Sequence, residues 1–290
     1  LNAVEINGKE KVPAEICVLA PGHSARDTFE MLKSRGIRME PKSFAVGLRI
    51  EHPQEMINQA LYGEAENPYL GSASYKLTHS CQNGRGVYSF CMCPGGYVVN
   101  ASSEEGLLAV NGMSYQDRNS PNANSALIVT VTPEDFPEEG PLGGIAFQRM
   151  LEKKAWQAGQ GKIPVQLFGD YKNHRASTEL GGVKPCTKGA YALSDLRSVL
   201  PEPLGVSIEE GILAFGKKIK GFDRDDSLLS GIESRTSSPV RIVRDSLGMS
   251  DIEGVYPCGE GAGYAGGITS AAMDGLRMAE WICEKFKNSL

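Results

Sequence analysis

The chain has 290 residues, of which 41% are hydrophobic and 22% charged, with a formal net charge of −5. That length allows one large or two ordinary domains, and an acidic balance without a basic stripe argues against nucleic acid as a partner. No apolar run approaches the ~18 residues that suggest a membrane span, and no secretory leader is recognisable.

Seven cysteines in a chain of this size read as thiols in a reducing cytoplasm rather than as a disulfide scaffold. Cys17, Cys258 and Cys283 lie in apolar segments and are expected to be buried.

Residues 4–12 read as a hairpin in which Asn7-Gly8 specifies a type I′ turn. Residues 15–20 are an apolar strand closed by Pro21-Gly22. Ser24, with Asp27 three positions on, predicts a capped helix start, and Gly36 predicts its stop. Residues 44–51 read as a strand, and Pro53 opens a short helix ending near Gly63. Residues 87–92 and 97–100 bracket Pro94-Gly95-Gly96 and predict a hairpin. Residues 126–132 are a β-branched strand.

A helix is expected over 143–157, with Glu152, Lys153 and Lys154 on its solvated face, and a short one over 194–200. Ser207 is expected to cap a helix running to Ile219, with Ile208, Ile212, Phe215 and Ile219 on one side. Ser237-Ser238-Pro239 reads as a hinge, followed by a strand over 239–244. His52 and His174 look like ordinary surface.

The most informative stretch is 254–287. A short apolar strand, 255–258, runs into Gly259-Glu260-Gly261-Ala262-Gly263-Tyr264-Ala265-Gly266-Gly267, and a helix follows. Ala272, Leu276, Ala279, Ile282 and Phe286 recur in steps of three and four, which puts them on one helical face. Glycines let a ligand approach the backbone, and free N–H groups with the helix dipole favour electron-rich ligand atoms. A carboxylate at a strand end can accept hydrogen bonds from a sugar-type hydroxyl. A tight turn without a ligand needs fewer glycines.

The run Gly-Val-Tyr-Pro-Cys-Gly-Glu-Gly-Ala-Gly-Tyr-Ala-Gly-Gly-Ile followed by Ser-Ala-Ala-Met-Asp-Gly resembles the C-terminal flavin motif of two-dinucleotide-fold FAD oxidoreductases. It is most similar to bacterial FAD-dependent dehydrogenases akin to fumarate-reductase-like flavoproteins. Thr236–Ile242 and Cys91-Met92-Cys93-Pro94-Gly95-Gly96 also resemble family patterns. The resemblance implies Glu260 as the ribityl ligand, Gly259, Gly261 and Gly266 in the turn, and the amides of Gly267, Ile268 and Thr269 facing the flavin pyrimidine. It also implies that Val18–Gly22 returns the chain to the flavin domain, with Gly22 beside the cofactor; an ordinary strand–helix corner is the alternative.

The Gly-x-Gly-x-x-Gly fingerprint that grips the dinucleotide in such enzymes is missing, and the chain begins at Leu1. The expectation is therefore the C-terminal part of a longer flavoprotein. Residues 1–40 and 236–290 would form a partial α/β FAD-binding domain, and 41–235 an inserted α+β substrate domain. The partners would be a small organic substrate and the N-terminal part of the same protein, with no membrane and no nucleic acid. Alone, the chain would hold FAD weakly or not at all. Two alternatives stand beside this reading: a flavin-free structural or regulatory module, and a flavin-dependent RNA-modifying protein.

Cys91 and Cys93 are the candidate catalytic residues, although a redox dithiol usually has two residues between its cysteines. His79 and Cys81 with Cys91 and Cys93 do not follow a standard zinc spacing, so a cavity-lining hairpin is preferred and no metal is expected. Arg85, Arg118, His79 and Tyr115 lie in polar loops and are candidates for orienting a carboxylate or carbonyl. His23 is better placed, just past a strand end.

Overall fold

The computed structural model describes residues 1–287, the side chain of Phe286 excepted. Strands β1 (Ala3–Ile6) and β2 (Glu10–Pro13) form an exposed hairpin. Its Asn7 and Gly8 have φ of 52° and 65°, and Lys9 N–H donates to the Ile6 carbonyl at 3.0 Å, as a type I′ turn requires. Then come β3 (Cys17–Leu19), helix α1 (Arg26–Ser34), β4 (Met39–Pro41), β5 (Phe44–Pro53) and α2 (Gln54–Tyr62). The middle holds β6 (Thr78–Ser80), β7 (Gly86–Cys93), β8 (Gly96–Asn100), β9 (Val110–Ser114), β10 (Asn122–Val131), α3 (Gly143–Gly159), β11 (Ile163–Leu167) and α4 (Phe168–Lys172). The last third adds β12 (Thr187–Lys188), β13 (Tyr191–Leu193), α5 (Glu202–Gly216), β14 (Leu228–Glu233), β15 (Val240–Ile242), β16 (Val255–Pro257) and α6 (Ile268–Phe286).

These elements make a mixed α/β protein of two compact units. The first comprises Leu1–Phe44, Val131–Phe147 and Arg235–Leu290; the second comprises Ala45–Thr130 and Gln148–Ser234. In the first unit β16 runs parallel to β3 and β15 antiparallel to β4. One core gathers Phe29 and Leu32 of α1 with Ile37, Met39, Ile145, Val240, Ile242 and Ala262. Another packs Tyr256, Cys258 and Met278 with Ile16, Trp281 and Ile282. Among the described residues no helix is long and apolar enough to cross a membrane.

The second unit is built on a seven-stranded sheet in the order β13-β11-β14-β5-β10-β7-β6. Central β5 and β10 are buried on both faces, which is why they read as continuous rather than alternating patterns. Ile208, Ile212, Phe215 and Ile219 share the buried side expected of them. Helix α5 lies so close to β7 that a Cβ on Gly211 would meet Val87 at 2.7 Å.

Several local expectations are corrected. Strands β7 and β8 do not pair: β7 joins β10 and β6, whereas β8 joins β9 and β12 in a separate three-stranded sheet. Gly95, at φ 46°, turns the chain out of one sheet into the other. No helix forms over 194–200, where irregular chain and turns follow β13 instead. Helix α5 begins after Pro201, and Ser207 lies inside it, bonding back to the Pro203 carbonyl at 2.8 Å. Helix α1 begins after Ala25 without a side-chain cap.

Glu152 is fully buried and accepts a bond from Ser234 Oγ at 2.6 Å. His52 is buried too, with Nε2 donating to the Phe222 carbonyl at 2.7 Å. Cys258 is buried as expected, but Cys17 is half-buried and Cys283 exposed.

Candidate functional site

At the end of β16 the chain turns through Gly259 (φ 77°), whose N–H donates to Asp274 Oδ2 at 2.8 Å. Asp274 comes from the inner face of α6 and is gripped in two bonds by Arg244, at 2.6 and 2.9 Å. The same guanidinium donates to the Pro257 carbonyl at 2.9 Å and sits 3.6 Å from the Tyr264 ring centroid. Strand, turn and helix are thereby tied together by one ion pair. Burial alone would raise the Asp274 carboxyl; the Arg244 and Gly259 bonds outweigh it and hold it below the usual range.

Glu260 stands at the head of this turn. Its Oε1 is 2.7 Å from His23 Nδ1, and both side chains are partly exposed. Oε2 has no protein partner among the described residues. The backbones of Gly22 and Gly261 approach so closely that a Cβ on Gly261 would lie 2.5 Å from the Gly22 carbonyl oxygen. That contact brings the β3 turn, and with it His23, against the Glu260 turn. Lys42 belongs to the same unit: burial, then Arg241, pushes its amine below the ordinary lysine value, with Glu260 pulling the other way.

The start of α6 is open. No side chain caps it, nothing lies within 4 Å of a Cβ placed on Gly266 or Gly267, and Ile268 is 93% exposed. The first-turn amides are therefore available to an outside acceptor, which is the condition a helix-N-terminal anion site requires. The helix is rotated from its expected orientation. Asp274 and Met278 point inward, while Leu276, Met273 and Ala272 are exposed, because the Arg244 pair and the Trp281 contact select the other face.

Cys91 and Cys93 have different surroundings in the second unit. β7 bulges against β10, and Cys91 takes φ 43°; Cys91 is exposed and Cys93 buried. Burial pushes the Cys93 thiol up, against the pull of Arg49. Arg49, which the sequence did not single out, is the hub here. It donates to Glu233 at 3.0 and 3.3 Å, to Asn124 Oδ1 at 2.7 Å, to Asn111 Oδ1 at 3.3 Å and to the Cys91 carbonyl at 3.1 Å. Burial works to lower its pKa, but Glu233 prevails and holds it above the ordinary value.

The loop residues are held by separate partners. Arg85 donates to the Thr130 carbonyl at 2.9 Å. Tyr115 meets Tyr97 edge to face beneath Lys188. Arg118 lines a pocket of about 670 Å³ with Gln54, Asn122 and Lys184. His79 is joined to Glu210 at 2.9 Å. His174 takes a left-handed backbone, with φ 52°.

A family model described as FAD-dependent protein, C-terminal domain-like matches residues 43–236. The chain belongs to this family. An uncharacterized protein of Clostridium beijerinckii (strain ATCC 51743 / NCIMB 8052) is 53% identical over 291 residues, covering 99% of this chain and 54% of that protein. The chain thus spans about half the length of that relative. In this member of the FAD-dependent protein C-terminal family, the matched residues 43–236 end before Glu260.

Proposed function

We propose that this chain supplies the ribityl and flavin-ring side of an FAD site in a longer oxidoreductase. Two features support the reading: the uncapped, exposed first turn of α6, and upstream of it a carboxylate whose Oε1 is engaged by His23 while Oε2 is available. The residues fit half of an FAD site. Glu260 Oε2 would accept a hydrogen bond from a ribityl hydroxyl, and His23 would fix the carboxylate in place. The amides of Gly267, Ile268 and Thr269, with the α6 dipole, would favour negative charge at the flavin pyrimidine edge. Gly22, Gly259 and Gly266 keep side chains out of that approach, and Gly261 lets the Gly22 backbone lie against the turn.

Bound FAD would supply the electron chemistry, hydride exchange with a small organic substrate. The open helix start carries this reading. The rest of the same polypeptide would grip the adenosine end. The seven free cysteines favour a reducing, cytoplasmic setting.

One observation favours a flavin-free module: Glu260 already has a protein partner in His23. The two readings separate when the gene product, including whatever is encoded upstream, is purified and its visible absorbance recorded. Flavin bands lost on denaturation support the first reading; a colourless protein that takes up no added FAD supports the second.

A further inference from the structure

The second unit brings together a trio that neither the flavin reading nor the family match uses. His79 lies on β6 and Cys81 two positions on, so both side chains emerge on the same side of the extended chain. The facing helix α5 contributes Glu210. One ligand atom from each, an imidazole nitrogen, a thiol sulfur and a carboxylate oxygen, falls within 4.8 Å of the other two. We propose that His79, Cys81 and Glu210 form a binding site for a divalent transition metal, zinc being the best match, which clamps β6 to α5.

The donor set suits that ion. Nitrogen, sulfur and carboxylate oxygen are its three protein ligand types, and three protein ligands leave a fourth tetrahedral position for water. With metal–ligand bonds of about 2.0–2.3 Å, tetrahedral donors stand roughly 3.3–3.8 Å apart. His79 Nε2 and Glu210 Oε1, now 2.9 Å apart, need to separate by only a few tenths of an ångström.

The carboxylate is oriented from behind, because the Gln82 N–H lies 3.1 and 3.2 Å from its two oxygens. Such supporting bonds are typical around metal ligands. Burial and then the Glu210 charge push the Cys81 thiol up. An arriving cation reverses that balance: the S–H proton leaves to solvent, the Cys81 Sγ–metal bond forms, and the weak contact of Sγ with the Ser207 carbonyl at 3.6 Å is given up. His79 Nε2 gives up its bond to Glu210 and its proton, which moves to Nδ1 by a change of tautomer or leaves to solvent, and the freed lone pair binds the metal. The sequence places His79 and Cys81 near Cys91 and Cys93 at a non-standard zinc spacing, from which no metal is expected; the third donor in the structure is Glu210, 131 positions from His79.

The test uses the whole chain, stripped with a chelator and titrated with Co(II) and with Zn(II). The expected result is one equivalent of either ion, with a thiolate-to-cobalt charge-transfer band and a thermal midpoint raised by zinc. Cys81→Ser removes the band. Glu210→Gln weakens binding at least tenfold, and its far-ultraviolet circular dichroism reports whether it is folded. Cys91→Ser leaves the titration unchanged. Binding below stoichiometry, or a cobalt band that survives Cys81→Ser, overturns the assignment.

Discussion

His23 and Glu260 stand 237 positions apart and meet at 2.7 Å. The contact exists because the β3 and β16 ends lie side by side in a parallel pair and the Gly22 and Gly261 backbones touch. On the proposed reading His23 acts on FAD through Glu260, whose carboxylate it holds. His23→Ala is therefore expected to weaken FAD retention a few-fold, less than loss of Glu260 itself. The partly exposed pair contributes little to stability, so the thermal midpoint should barely move. A His23→Ala protein that binds FAD more weakly than Glu260→Ala contradicts this ordering.

The Arg244–Asp274 pair is nearly buried, with side-chain exposures of 7% and 6%. Removing one member leaves a charge without its partner, which costs about 3–5 kcal/mol in buried pairs. Asp274→Ala should lose stability of that order in urea unfolding, while the double variant Arg244→Met/Asp274→Leu should recover much of it. Because Asp274 is held below its ordinary value, its contribution is complete above the usual carboxylate range. It is lost as pH falls through the depressed value.

His52 gives a second acid dependence. Desolvation lowers it from 6.5 to about 4, so the unfolded chain takes up a proton first. Stability from this group is full above 6.5 and falls as pH drops toward 4, by on the order of 3 kcal/mol. His52→Gln retains a donor for the Phe222 carbonyl, and its stability should vary less with pH over that interval. Equal slopes in the two proteins contradict the assignment.

Two glycines of one turn should respond to different degrees. At Gly261 a Cβ meets the Gly22 backbone at 2.5 Å, and backbone cannot yield cheaply; Gly266 faces open space. Gly261→Ala should lower stability by roughly 1–3 kcal/mol, and Gly266→Ala by less than ~1 kcal/mol. Paired thermal melts of the two variants check this.

Local signals of strong chemistry were legible in the sequence. Asn7-Gly8 gave the turn, the Ile208–Ile219 stripe gave the inner face of α5, and the glycine run gave the uncapped entry to α6. Features decided by distant partners were not legible. The rotation of α6 depends on Arg244 meeting Asp274, and neither residue follows the apolar period. Glu152 read as a surface charge and Arg49 was not singled out, because their partners, Ser234 and Glu233, come from far along the chain. Glycine at 95 looked like a hairpin turn, but the chain crosses there into another sheet. The carboxylate facing His79 and Cys81 sits on a helix that no spacing rule connects to them.

The most direct measurement is FAD retention by the gene product that includes this chain, compared between wild type and Glu260→Ala. Loss of a hydrogen bond to a charged acceptor, worth roughly 1.5–3 kcal/mol, predicts a Kd for FAD raised tenfold or more with the thermal midpoint of the flavin-free protein unchanged. An unaltered Kd in a folded Glu260→Ala protein contradicts the account.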